Sequence, residues 1–253
     1  MVEYEQRGRV AVITIRRPEA RNAVSPEVAE KMEQALDRFE ADDAAWVGVL
    51  TGEGPVFSAG ADLKAIAAGK AAAINTERGG FGGFVRRQRE KPVIAAVDGP
   101  ALAGGCELVL ACDMVVASTN ASFGLPEVKR SLVAAAGGLF RLPRRVPANV
   151  AMELALTGDP MPAERAYQLG LVNELVDPGQ ALDAAIGMAE RICANAPLAV
   201  RASRKIVLAS PDNDEEELWR LTGHEFVAIA RTEDFAEGPM AFIEKRAPVW
   251  KGR

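Results

Sequence analysis

Apolar residues recur at every second position at the start of the chain and at every third or fourth soon after, which predicts strands followed by a helix. Residues 2–15 divide into two strands about the turn Arg7-Gly8-Arg9, with Val10, Val12 or Ile13, and Ile15 at the apolar positions and Pro18 as the stop. Ser25-Pro26 reads as an N-cap with proline at the first helical position. Val28, Met32, Ala35, Leu36 and Phe39 then mark one face of a helix running to about residue 42. Residues 46–51 form a buried strand closed by Gly52-Glu53-Gly54-Pro55, and residues 92–97 repeat that signature, ending in a tight loop from Asp98-Gly99-Pro100. Residues 114–118 are a further strand.

Between the strands at 46–51 and 92–97 the pattern loosens. Residues 67–89 hold alanines, paired glycines and few large apolar side chains, which predicts a mobile helix-loop segment. Their GGFGG string lacks both the ending of a Walker motif and the strand context of a dinucleotide fingerprint. Helices are predicted at 149–156 and 163–169, ended by Gly158 and Gly170, and a strand at 171–176. From about residue 180 the chain is helical to 245, as 181–195, 199–208 and 215–231, with breaks at Pro197, Pro211 and Gly238-Pro239. This shift places a boundary near Pro178, between a mixed α/β core at 1–178 and a helical region at 179–253. Helices with apolar faces at a chain end usually pack on something, so an oligomer is expected.

Composition narrows the classes. The 253 residues suffice for one large core, and a net charge of −5 without a basic tract argues against a nucleic-acid partner. The start of the chain lacks a basic and apolar leader, and no uncharged apolar run reaches the roughly 18 residues of a membrane span. The expectation is a cytoplasmic enzyme without a membrane partner. Cys106, Cys112 and Cys193 lack the spacing of a disulfide framework or zinc site and read as core residues. The single histidine, His224, lies far along the chain from the candidate carboxylates and reads as structural or surface, which leaves poor material for a Ser-His-Asp triad.

Residues 92–128 hold most of the candidate chemistry. Gly104-Gly105 lets the backbone approach a ligand and opens a helix at about Cys106, where unpaired N–H groups favour an oxyanion. Glu107 follows among apolar neighbours, and buried carboxylates are rare without a reason. The helix rises roughly 9 Å over six residues, and strand 114–118 returns roughly 16 Å at about 3.3 Å per residue. Glu127 thus comes back near Glu107, an arrangement suited to general acid/base work on a carbonyl compound. The spacing leaves equally open two unrelated glutamates, one serving the helix dipole and one in a loop. In the loop FSAGADLKAI, at 57–66, the Ala61 N–H is a candidate second donor beside Gly104; the alternative is an ordinary loop capped by Asp62.

Taken in order, FSAGADLKAI, PVIAAVDGPALAGGCEL, FGLPEV and AFIEKR resemble the enoyl-CoA hydratase/isomerase (crotonase) superfamily over nearly the whole chain. The resemblance implies an α/β fold, a ClpP-like spiral of ββα units with a C-terminal helical trimerisation domain, and homotrimers or dimers of trimers. It matches Ala61 and Gly104 to the oxyanion-hole donors, and Glu107 and Glu127 to the paired acid/base glutamates. It also matches the loop of Ala59, Gly60, Ala61, Asp62, Leu63 and Lys64 to the one that wraps coenzyme A, and Phe242 and Lys245 to positions that reach a neighbour's coenzyme A. The activity implied is reversible addition of water to a 2-enoyl-CoA thioester, with coenzyme A as part of the substrate and no metal or redox cofactor. Alternatives are carnitinyl-CoA dehydration, double-bond isomerisation relying chiefly on Glu127, and an acyl-CoA-binding scaffold without turnover.

Four positions depart from the family pattern. Ala103 stands first in what is usually a triple-glycine run, which is tolerable where no positive φ is needed. Leu125 replaces a frequent glutamine, and Ala134-Ala135 replaces a Pro-Gly pair beside the water site. The strings FGLPEVK and EGPMAFIEKRAPVWKGR look closest to the carnitinyl-CoA dehydratase branch, whose acyl chain is cationic. Candidate contacts for that cation are Phe81, Phe84 and Phe140, with Glu77 or Glu90 as counter-charges, whereas Arg86, Arg87 and Arg89 would repel it from inside the pocket.

Overall fold

The period-two stretch forms β1 (Val2–Arg7) and β2 (Val10–Ile15), an antiparallel pair turning at Gly8. The computed structural model describes residues 1–253. Helix α1 (Pro26–Ala41) starts where expected: the Ser25 hydroxyl accepts from the Val28 N–H, and Val28, Ala29, Met32, Ala35, Leu36 and Phe39 are its buried face. Then come β3 (Val47–Gly52), the short α2 (Leu63–Ala67), the small antiparallel pair β4 (Asn75–Thr76) and β5 (Gly80–Phe81), and β6 (Val93–Val97). They are followed by β7 (Pro100–Leu102), α3 (Gly104–Leu110), β8 (Met114–Ser118) and β9 (Ser122–Gly124). The remainder is α4 (Gly138–Arg141), α5 (Ala148–Thr157), β10 (Met161–Pro162), α6 (Ala163–Gln168) and β11 (Glu174–Val176), then α7 (Ala181–Cys193), α8 (Pro197–Ala209), α9 (Glu215–Ile229) and α10 (Glu233–Ile243).

The large sheet runs β1-β2-β3-β6-β8-β11, and every pairing beyond the first is parallel. A parallel sheet must be covered on both faces. Ala11, Ile13, Leu50, Ala95 and Val115 pack into the core shared with α1 and α3, while Val10, Val12, Val49, Ile94 and Val116 meet Ala185, Met188 and Ala189 of α7. Adjacent residues of one strand thus serve opposite cores, as a period of two requires.

The chain reaches its chemistry through a repeated device. After β6 it passes to β7 in a second sheet, ordered β10-β9-β7, and then into α3; after β8 it passes to β9 and then into a 3-10 turn, Pro126–Arg130. After β3 the same role falls to Ser58, bridged to Ala101, before α2. These stacked units are turns of the spiral that the resemblance implied.

Three local expectations are corrected. Residues 100–102 are a strand paired with β9, where a tight loop was expected. The glycine-rich half of 67–89 is packed: Phe81, Phe84 and Val85 are buried, and Gly80, Gly82 and Gly83 turn the chain with positive φ. Gly238-Pro239 lies inside α10 and does not break it. The last residues strap that helix: Asp234 accepts from the Lys251 and Gly252 N–H groups, and Glu237 from the Val249 N–H, which outweighs the local cost of proline. No helix is long and apolar enough to cross a membrane.

Candidate active site

The loop after β3 and the start of α3 meet because two residues lack a side chain. A Cβ on Gly60 would stand 2.7 Å from the Gly104 nitrogen, and one on Gly105 would stand 2.1 Å from the Ser58 carbonyl oxygen. The loop is laced to the segment before α1, with the Val24 N–H donating to the Gly60 carbonyl at 2.7 Å and the Asp62 N–H to the Val24 carbonyl at 3.0 Å. In such a bridge the intervening residue turns its backbone groups the other way. The intervening Ala61 lines the cleft, and neither its N–H nor that of Gly104, at the first position of α3, has an acceptor in the protein. Asp62 caps α2 by accepting from the Lys64 and Ala65 N–H groups and pairs with Arg17 at 3.1 Å. Burial works to raise its pKa, but the Arg17 and backbone bonds prevail and lower it.

Glu107 sits in the first turn of α3, only 3% exposed. Its Oε1 accepts from the Ala136 N–H at 2.7 Å and the Gly138 N–H at 2.9 Å. Burial pushes its carboxyl up to about 7, aided by the charge of Glu127 and opposed by those two N–H bonds and Arg141. Glu127 enters from the 3-10 turn after β9 and lines the same cleft; burial raises its pKa as well, and its Oε2 is buried without a partner. The two environments differ in kind. Two donors aimed at Glu107 favour its ionised form, whereas an unpartnered buried oxygen favours a protonated Glu127. Burial raises both carboxyls and the charge of Glu127 acts on Glu107, so the cleft holds a carboxyl that titrates near neutral pH.

The cleft, about 1340 Å³, gathers Ala59, Ala61, Asp62, Leu63, Lys64, Gly104, Glu107 and Glu127 along its walls. Gly60 contributes by contact with Gly104. Phe242 and Lys245 are exposed on and just after α10 and do not line it. Of the aromatic candidates Phe81 and Phe140 line the cleft, while Phe84 is wholly buried elsewhere; Glu77 and Glu90 are absent from its walls. Arg86 does face it, whereas Arg87 pairs with Asp37 and Arg89 donates to the Ala111 carbonyl. Ala103 is a correction. Its φ is +52° and its ψ −128°, so the first position of the run does adopt a positive φ, and the alanine is strained there. Leu125 is buried and packs beside Gly138, behind Glu107.

The run 139–147 carries three arginines, Arg141, Arg144 and Arg145, a residue type that more often makes surface or interface ion pairs than serves catalysis, and Arg141 departs from that expectation. Arg144 does pair with Asp212 at the surface, and Arg145 caps the end of α3 through the Cys112 and Asp113 carbonyls; Arg141 faces the cleft. The available signal was its place three residues after the small-residue run 134–138, whose Ala134-Ala135 stand beside the water site in the pattern above.

Comparison with known proteins agrees with this geometry. The family model for enoyl-CoA hydratase/isomerase matches residues 5–253. The carnitinyl-CoA dehydratase of Proteus mirabilis is 40% identical over 253 residues, covering 98% of this chain and 97% of the relative; that of Salmonella typhi is 41% identical over 252 residues, covering 97% and 96%. Among solved structures, an enoyl-CoA hydratase from Mycobacterium tuberculosis H37Rv superposes with a TM-score of 0.96 at 50% identity, over 100% of this chain and 99% of that one. A carnitinyl-CoA hydratase from Mycobacterium avium gives a TM-score of 0.77 at 48% identity, over 100% and 98%. The protein is therefore an enzyme of the enoyl-CoA hydratase/isomerase family, with the crotonase fold.

Proposed function

We propose that this chain hydrates the double bond of a 2-enoyl-CoA thioester and catalyses the reverse dehydration. The observation that carries the reading is the buried Glu107 and the half-buried Glu127 on one cleft with two backbone N–H groups that have no acceptor. The Ala61 and Gly104 N–H groups would hold the thioester oxygen as negative charge builds on it, each worth about 2.7–4 kcal/mol if it behaves like other oxyanion donors. Glu107, ionised, takes a proton from water as the oxygen bonds to the β-carbon. Glu127, protonated, delivers its proton to the α-carbon as the enolate collapses. One water is consumed, both its hydrogens are accounted for, and a proton passing back from Glu107 to Glu127 resets the pair.

Incubation with crotonyl-CoA, following the enoyl-thioester absorbance, tests this. Rapid loss with wild-type protein is expected, and no loss above the uncatalysed rate would leave the scaffold reading.

A second reading, crotonobetainyl-CoA as substrate, is favoured by the names of the curated relatives. Against it, the cleft holds Arg86, Arg130 and Arg141, and neither candidate counter-charge lines it, although Phe81 and Phe140 offer aromatic faces. We rank the uncharged enoyl chain first. A kcat/KM for crotonobetainyl-CoA above that for crotonyl-CoA would reverse the ranking.

A further inference from the structure

Arg141 closes α4 on the cleft wall beside Glu107. Its Nη1 donates to the Ala136 carbonyl at 3.2 Å and its Nη2 to the Val85 carbonyl at 2.6 Å. Ala136 is thereby held from both sides, its carbonyl by Arg141 and its N–H by Glu107 Oε1 at 2.7 Å. The second anchor bears on the oxyanion donors. Val85 follows Phe81 in the glycine-rich turn, and the Phe81 ring lies so close to Gly104 that a Cβ there would meet it at 2.4 Å. One guanidinium thus joins the loop that orients Glu107 to the turn that backs Gly104. Both of these bonds go to carbonyls, and Arg141 forms no ion pair, so its charge is uncompensated apart from Glu107 itself. The charged groups acting on Glu107 are Glu127 and Arg141, and the adjoining Cys106 is a buried neutral thiol. A lysine supplies charge without a fork that spans two carbonyls.

We propose that Arg141 is a positioning residue for Glu107, its fork holding the 134–138 loop against the 79–87 turn and its charge keeping the Glu107 carboxylate available as base. This rests on the hydration reading above.

The test compares wild type, Arg141→Met and Arg141→Lys, each with and without Glu107→Gln, by pH profiles of kcat and KM for crotonyl-CoA and by melting temperature. Arg141→Met is expected to lower kcat about 10–10²-fold, the scale of a small misplacement, to leave KM nearly unchanged, and to move the acid limb of kcat to higher pH. Arg141→Lys should restore the limb without restoring full kcat. In the Glu107→Gln background Arg141→Met should cost little more. An unmoved acid limb, or the same fold-loss in both backgrounds, would make Arg141 merely structural and overturn the proposal. Should Arg141→Met not fold, the Lys variant carries the test, and a kcat equal to wild type would overturn it. A wild type without hydratase activity sinks the hydration reading separately. The Glu107 titration, followed by 13C-carboxyl resonance, still decides whether Arg141 acts on it: an upward shift in Arg141→Met supports the proposal, and an unchanged titration ends it.

Discussion

The cleft and the last three helices solve opposite problems. Around Glu107 the packing is close: α3 is buried throughout and the neighbouring Phe81 and Leu125 are buried. Helix α9 buries no residue, and α8 to α10 expose Val207, Trp219, Phe226, Phe242 and Ile243. The first region buries α3 and holds Glu107 with N–H groups of its own chain. The second leaves large apolar side chains in water, which a single chain has no reason to do. Glu107 is thus held by intrachain contacts, and the helical end presents an apolar face to another copy. We propose that the copy is this same chain, in a trimer or a pair of trimers.

The strongest way to break this contrast is to remove the carboxylates. Glu107→Gln and Glu127→Gln should each lower turnover by about 10²–10⁴-fold, the range for a lost general acid or base, with acyl-CoA binding retained in a calorimetric titration. A double variant at the wild-type rate would end the assignment. Gly104→Ala comes next. Its Cβ would press on the Phe81 ring, so a loss on the order of 10²–10³-fold is expected, as for one displaced oxyanion donor. Phe81→Ala in the same chain should recover part of it, since the obstruction is a ring and not backbone.

For the helical end, Phe226→Asp with Ile243→Asp should shift the mass seen by light scattering towards the monomer while the far-ultraviolet circular dichroism stays native. Exposed positions contribute little to a chain's own stability, within about 0.5 kcal/mol. A wild-type monomer at micromolar concentration would contradict the proposed assembly. Phe242 and Lys245, outside their own chain's cleft, can serve a site only across such an interface, so Lys245→Ala should weaken coenzyme A binding in the intact oligomer.

Much of the cleft was legible in the chain because its determinants are local. Apolar runs with glycine stops located β3 and β6, and small residues after them marked Ala61 and Gly104, whose N–H groups have no acceptor in the protein. The return distance from α3 through β8 allowed Glu107 and Glu127 to meet. What escaped depends on partners remote in sequence. The 79–87 turn looked loose because its glycines are read as flexible when alone, yet they serve close approach: a Cβ on Gly83 would meet the Ala29 carbonyl at 2.3 Å. The Gly238-Pro239 pair looked like a break because the strap from residues 249–252 cannot be seen in it. Arg141 looked like any surface arginine until the Val85 and Ala136 carbonyls were placed at its head.

Smaller in effect is the linkage between Glu107 and stability. Its folded carboxyl titrates near 7 against an ordinary 4.5, so the folded chain holds this proton more tightly than the unfolded one. Stability from that proton is full below the ordinary carboxyl range and is lost as pH rises through about 7. Glutamine keeps an oxygen for the Ala136 and Gly138 N–H groups and carries no charge. Glu107→Gln should therefore raise the melting temperature more at pH 8 than at pH 5. An equal change at both values would mean that Glu107 is not held above its ordinary range.

The smallest expected effect sharpens the contrast from inside the cleft. Ala103, with φ +52° and ψ −128°, turns the chain from β7 into α3 and sets where the Gly104 N–H lies. Such a conformation costs an L-residue about 1–3 kcal/mol, and glycine relieves it at an entropic cost of about 0.5–1 kcal/mol. Ala103→Gly should therefore stabilise the chain by about 1 kcal/mol, raising the melting temperature by roughly 2–4 °C for a chain of this size. Activity reports a second consequence. The Ala103 N–H is held by the Gly124 carbonyl at 2.9 Å and its carbonyl accepts from the Glu107 N–H at 3.1 Å, so the turn stays tethered after the methyl is gone. The rate of the variant should then stay within a few-fold of wild type, because the donors do not move. A stabilised variant that loses most of its turnover would show instead that the alanine methyl restrains Gly104. An unchanged or lower melting temperature would show that position 103 stores no strain.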